Sequence, residues 1–183
     1  MSKQITEIDR LNDKLAGFTV LKGIELDILA DGSLDLPDKV LSRLDIVVAA
    51  VHYKFDLPRA AQTERFIRAM DNRHVSIIAH PTGRLIGERD PYELDMDRLL
   101  AAAHERGCHL EINAHPDRLD LMDIHAQAAK AAGVKIAIST DAHSAPGLDN
   151  MRFGVDQARR GWLEAADVIN TRPLPELRRL LKR

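Results

Sequence analysis

Apolar positions along this chain change period in a regular way. Ile5, Ile8, Leu11 and Leu15 recur at helical spacing and predict an amphipathic helix over residues 4–15. Phe18, Val20, Ile24, Leu26 and Ile28 then form an extended stretch that ends at the turn Asp31-Gly32-Ser33. Pro37 opens a short helix to about Leu44. The continuous apolar run Ile46–Val51 is the pattern of a strand buried on both faces, as in parallel sheets. Further helices are predicted over 58–70, 95–105 and 120–132, and further strands over 75–79, 109–112 and 135–139. Gly107 and Gly133 sit where helix-ending glycines belong. Helical stretches at 148–160, 163–169 and 175–182 close the chain, and residues 81–94 read as a loop. Five strands alternating with helices indicate an α/β fold with a mainly parallel sheet. No linker or second domain interrupts the pattern, so 1–183 reads as a single unit.

Composition narrows the classes. Hydrophobic residues make up 45% of the chain, too many for an intrinsically disordered protein. No apolar run approaches the ~20 residues a membrane span needs, and the polar start MSKQITEIDR is unlike a signal peptide. The lone Cys108 allows no internal disulfide, which points to a reducing cytoplasm. A net charge of −2 provides no bulk attraction for nucleic acid, so any such contact must be local.

The candidate chemistry lies at the strand ends. Glu25, His52, His80, Glu111 and then Asp141 with His143 follow one another at intervals of about 30 residues, the length of one βα unit. Parallel α/β folds gather the carboxyl ends of their strands on one rim, so these six side chains are expected to converge there. Packing alone gives no reason for an acid or imidazole at each of these ends, and a shared divalent cation would offset their mutual burial. Mixed imidazole and carboxylate donors suit Zn²⁺, Mn²⁺ or Fe²⁺ better than Mg²⁺ or Ca²⁺. Such a rim is suited to metal-assisted phosphoester hydrolysis. Arg84 and Arg118 fall in loops on the same side and could bind phosphate oxygens. The other histidines read as solvated (His74, His104) or packed (His109, His125), with His115 a candidate accessory ligand. The basic end Arg178-Arg179-Leu180-Leu181-Lys182-Arg183 reads as helix-end charge on a solvated face.

Several strings together resemble the PHP (polymerase and histidinol phosphatase) domain. They are Gly23–Leu29 with Asp31–Asp35, His80-Pro81-Thr82-Gly83-Arg84, Glu111–Ala114, Pro116–Asp120, Ser139–Ser144, Arg159–Leu163 and Asn170–Leu174. The version they resemble most is the C-terminal one of bacterial family X DNA polymerases. The resemblance implies a distorted (β/α)7 barrel, here N-terminally truncated to about five βα units, with up to three divalent ions in the intact family. It also implies hydrolysis of phosphoesters, with manganese-dependent 3′-5′ exonuclease and DNA end-processing in the polymerase setting. Carried over by motif, Glu25 bridges two ions, His52 and His80 complete one of those sites, Asp141 binds the second bridged ion and His143 the third. Glu111 takes a further position near the metals, and Glu25, Asp141 and His143 are the implied catalytic residues.

The departures also carry expectations. The family's opening His-x-His strand and the next histidine-bearing unit have no counterpart here, so only the Glu25–His52–His80 site would keep all its protein ligands. One or two Mn²⁺ or Zn²⁺ ions and impaired activity follow. Tyr53 and His115 stand where the family has smaller or uncharged residues. An open five-unit sheet is expected to leave two bare edges and an uncovered apolar face, surfaces that invite a homodimer. The partners implied are a phosphoester, DNA 3′ ends, no membrane, and polymerase domains of a longer parent chain. Three readings remain: an active phosphoesterase (DNA end-processing, or a stand-alone phosphomonoesterase resembling histidinol phosphatase), a cation-binding fragment without turnover, and a non-catalytic interaction module.

Overall fold

The computed structural model describes residues 2–183. Helix α1 (Ser2–Asn12) precedes five strands joined by four helices: β1 (Gly23–Asp27), α2 (Asp38–Leu41), β2 (Ile46–Ala50), α3 (Arg59–Asp71), β3 (Ile77–Ile78), α4 (Met96–Arg106), β4 (His109–Asn113), α5 (Asp123–Ala131) and β5 (Ile136–Ser139). Helices α6 (Met151–Arg160) and α7 (Leu174–Leu180) follow. The strands lie in the order β1-β2-β3-β4-β5 and every pairing is parallel. Each crossover therefore moves the chain over by one strand, and all carboxyl ends face the same way. The register sets Glu25 beside Val48, Val48 beside Ile77, Ile77 beside His109 and Glu111 beside Ala137. This is the α/β architecture with a parallel sheet that the alternating pattern predicts.

Strand alternation divides the side chains between two layers. Leu26, Val47, Ala49, Ile78, Leu110, Ile112, Ile136 and Ile138 pack under α3, α4 and α5 with Phe66, Met70 and Leu99. Fully burying one such leucine or phenylalanine contributes roughly 1.5–3 kcal/mol, so this layer dominates stability. On the other face Ile77 and Ala137 meet Ile169 and Leu181, flanked by Leu177 and Leu180 of α7. The apolar face expected to be bare is thus covered by the chain's own last helix. Helix α4 shows why its ends were legible: Asp95 accepts the Arg98 amide at 3.2 Å, and Gly107 ends the helix at φ +62°.

Residues 163–169 depart from expectation. They form two 3₁₀ turns, Ala165–Asp167 and Ile169–Thr171, instead of a helix. Their polar groups are directed sideways to β5. Val168 bridges Ile136, while the Asn170 side chain accepts the Ile138 amide at 2.9 Å and donates to the Ile138 carbonyl at 2.8 Å. The outer edge of β5 is covered in this way, so only β1 keeps an edge to which no further strand pairs among the described residues. The predicted strand 75–79 shortens to Ile77–Ile78, and the helix predicted from 120 starts at Asp123. Asp120 is unavailable to that helix because its carboxylate receives the amides of Thr82 and Gly83 at 2.9 and 2.8 Å.

Candidate metal centre

Glu25 and Asp27 lie two apart on β1 and so project to the same face. His52 follows β2 and His80 follows β3, on the two neighbouring strands. The ligand atoms of Glu25, His52 and His80 all lie within 4.8 Å of one another. Glu25 Oε1 is 3.1 Å from His52 Nε2 and 3.4 Å from His80 Nε2, and the two imidazole rings meet edge to face at 5.3 Å. His80 is almost wholly buried, whereas Glu25 and His52 are about two-fifths exposed, so the group has a rigid floor and an open mouth.

The electrostatics follow from the geometry. Hydrogen bonds from His52 and His80 hold the Glu25 carboxyl far below the usual carboxylate range. Glu25, aided by Asp27, raises His52 to about 9. His52 Nδ1 lies 2.6 Å from Asp27 Oδ1, so the nitrogen facing Glu25 is always Nε2. A carboxylate that orients an imidazole through its second nitrogen is the usual support of a histidine metal ligand. Two imidazole Nε2 atoms and one carboxylate form a donor set suited to a divalent ion of the Zn²⁺ or Mn²⁺ type, with coordination positions left for water or substrate. The residues fit a divalent cation, and its entry must displace the proton on His52.

The surrounding residues fix this geometry. His80 sits at φ +28°, a conformation few side chains adopt, and its amide donates to Glu111 Oε2 at 2.7 Å. Burial pushes the Glu111 carboxyl up to about 7. Arg65 on α3 is 1% exposed and reaches across both preceding loops. Its Nε donates to the Leu29 carbonyl at 2.9 Å and Nη1 to the Tyr53 carbonyl at 3.0 Å, while Nη2 donates to the Ile28 carbonyl. Tyr53 adds a second tie, accepting the Ala30 amide at 3.1 Å, and its ring lies under the Arg65 guanidinium.

The remaining predicted residues form a separate cluster after β4 and β5. Asp141, at φ +52°, accepts Asn113 Nδ2 at 3.1 Å and lies 3.7 Å from Arg118 Nε. His143 is 88% exposed, and its Nδ1 lies 2.8 Å from the Asp141 carbonyl. Neither belongs to the Glu25 group. Arg84 donates through Nε and Nη2 to the carbonyls of Arg118 and Leu119 at 2.7 and 2.6 Å, so it braces the Arg118 loop. His115 donates its amide to Asn113 Oδ1, and His109 Nε2 donates to the Leu180 carbonyl at 3.0 Å. Sequence reasoning passed over Asp27, Asn113 and Arg65. Asp27 carried a usable signal, since it shares the Glu25 face of β1.

No protein-family model matches the chain. Among curated proteins it is 47% identical over its full 183 residues to a DNA polymerase/3′-5′ exonuclease PolX of Bacillus subtilis, covering 32% of that protein. It is 36% identical over 173 residues, 88% of its length, to a probable phosphatase of Thermoanaerobacter sp., covering 67% of that protein. A probable phosphatase of Shewanella sp. is 32% identical over 181 residues, 91% of this chain and 68% of that protein. The chain therefore spans about a third of the Bacillus protein and about two thirds of these two phosphatases.

Proposed function

Because this chain belongs to the PHP family, we propose that it is a divalent-metal-dependent phosphoesterase whose reaction is centred on Glu25, His52 and His80. The observation that carries this reading is the meeting of those three side chains, from three successive strands, around one point. When bound, a Mn²⁺ or Zn²⁺ ion there supplies Lewis acidity toward a phosphoryl oxygen and a water acidic enough to attack at neutral pH. Asp27 keeps His52 Nε2 turned inward, and Glu111 holds the His80 backbone. Asp141 and His143 complete the rim as ligands of further cations and as catalytic groups. Arg118, with a guanidinium near Asp141, turns to a phosphate oxygen, and Arg84 supports it from behind.

Similarity to a polymerase named as a 3′-5′ exonuclease favours DNA 3′ ends as substrate, alongside polymerase domains; a cytoplasmic DNA-repair setting belongs to the same proposal. Similarity to proteins named as phosphatases favours a phosphomonoester instead. No helix is long and apolar enough to cross a membrane. The free edge of β1 is the surface through which a second copy would pair. The separation of Asp141 and His143 from the Glu25 group favours a second reading, cation binding without turnover.

One experiment ranks these readings. Metal content per chain is measured after loading with Mn²⁺ or Zn²⁺, together with hydrolysis of a generic phosphodiester and phosphomonoester. The phosphoesterase reading expects at least one ion per chain, none in Glu25→Ala, and metal-stimulated turnover that disappears in His80→Ala. Bound metal with no turnover supports the second reading. Absence of bound metal refutes both.

A further inference from the structure

A cavity lies at the end of the sheet opposite the metal centre. It is a cleft of about 540 Å³ between the start of β2, the connection from α3 to β3, and α7. Ile46 lies in its wall, and His52 lies at the far end of the same strand. Six residues of extended chain separate the two, roughly 20 Å. The cleft is thus a separate place.

Its charge is unusual for this molecule. Arg73, Arg178 and Lys182, from two distant segments, line it together with His74. Most other arginines are spoken for: Arg98 pairs with Glu64, Arg106 with Asp71 and Arg160 with Asp123. Arg183, also in the wall, gives its guanidinium to the carbonyls of Arg106, Val75 and Met70. Among the described residues no carboxylate pairs with Arg73, Arg178 or Lys182. The cleft's one side-chain carboxylate, Asp45, is turned to the backbone and accepts the Lys22 amide at 2.9 Å. Three cations without partners therefore share a concave surface on a chain whose net charge is −2.

Part of the lining is apolar, formed by half-buried Leu44 and Ile46 with buried Leu41 and Leu181. Ser76 contributes nothing to a ligand, because its hydroxyl already donates to the Leu181 carbonyl at 3.2 Å. Guanidinium forks match phosphate oxygens, and the volume falls within the range of small-molecule sites. A ligand suited to this cleft carries phosphate at one end and a flat or apolar group at the other. We propose that the cleft binds a nucleoside mono- or diphosphate, its phosphate on Arg73, Arg178 and Lys182 and its base against Leu44 and Ile46. This site is independent of the chemistry proposed for the Glu25 rim.

The test is calorimetric titration of the metal-free protein with AMP, ADP and inorganic phosphate at about 0.15 M salt, where weak long-range attraction is screened. Arg73 and Arg178 are exposed, so Arg73→Glu/Arg178→Glu is expected to keep the fold, checked by circular dichroism. ADP is expected to bind the unaltered chain, to bind the double variant at least tenfold more weakly, and to bind His80→Ala normally. Inorganic phosphate is expected to bind more weakly than ADP. The proposal is overturned by no binding of ADP, by equal binding to the double variant, or by loss of binding in His80→Ala, which would place the nucleotide at the rim. Phosphate binding as tightly as ADP would refute the role of the apolar lining.

Discussion

Asp27 is the residue on which the metal centre turns. It touches no cation ligand except His52, yet its 2.6 Å contact decides which imidazole nitrogen faces Glu25. Replacing it with alanine frees the ring to rotate and lowers its basicity. Asp27→Ala is therefore expected to bind Mn²⁺ or Zn²⁺ about 10–100-fold more weakly, measured by calorimetry, while its metal-free unfolding curve changes little. His109 makes a different kind of prediction. It is 5% exposed, and burial holds its imidazole below the ordinary value of 6.5. The folded state thus resists the proton that the unfolded chain accepts. Stability is full above pH 6.5 and falls as the pH drops below it, because the unfolded state then binds more protons. Glu111 and His52, both raised in the folded state, act in the opposite sense over this range, so the His109 contribution is read as a difference: in urea midpoints the unaltered chain should lose stability relative to His109→Gln between pH 7 and pH 5.

Elements, rather than single residues, determine whether the rim assembles. Helix α6 lies so close to the sheet that a Cβ on Gly154 would stand 2.5 Å from Ile138 Cγ2 and 2.7 Å from Ala114 Cβ. Gly154→Ala is expected to cost roughly 1–3 kcal/mol through overpacking, read as a lowered thermal midpoint. Helix α3 acts on the site itself, since Arg65 ties the loops after β1 and β2 together. Arg65→Met strands the buried Ile28 carbonyl and the half-buried Tyr53 carbonyl and leaves Leu29 with the Gly32 amide alone, and each carbonyl left without a donor costs about 1–3 kcal/mol. The variant is expected to lose both stability and metal affinity, with affinity measured well below its unfolding temperature. The alternation of strands and helices, and the ends to which Glu25, His52 and His80 belong, were legible because both depend on local periodicity and unit length. Arg65 was not legible, since its partners lie in loops up to 37 residues away and its spacing on α3 resembles that of a solvated arginine. The 163–169 segment misled for a related reason: its helical composition is overridden by Asn170 bonding across to Ile138.

At the scale of the whole molecule, helix α7 closes the face of the sheet that α3, α4 and α5 leave open. Leu181 is packed with Ile77 and Ala137, and Arg183 links the ends of α3 and α4 through three carbonyls. Leu181→Ala is expected to destabilise the fold by about 2–5 kcal/mol in chemical denaturation and to leave the rim residues in register. The sheet is thereby covered on both faces and open at its carboxyl edge, and the lateral position of Glu25 gives that opening a direction. Glu25 stands on β1, the outermost strand, while both histidines come from strands on its inner side. A cation there would be grasped from one hemisphere only. The other hemisphere faces outward past β1, so solvent, a scissile ester or a neighbouring polypeptide laid along that margin could each complete the coordination, and whichever arrives would set the pace at which the others exchange.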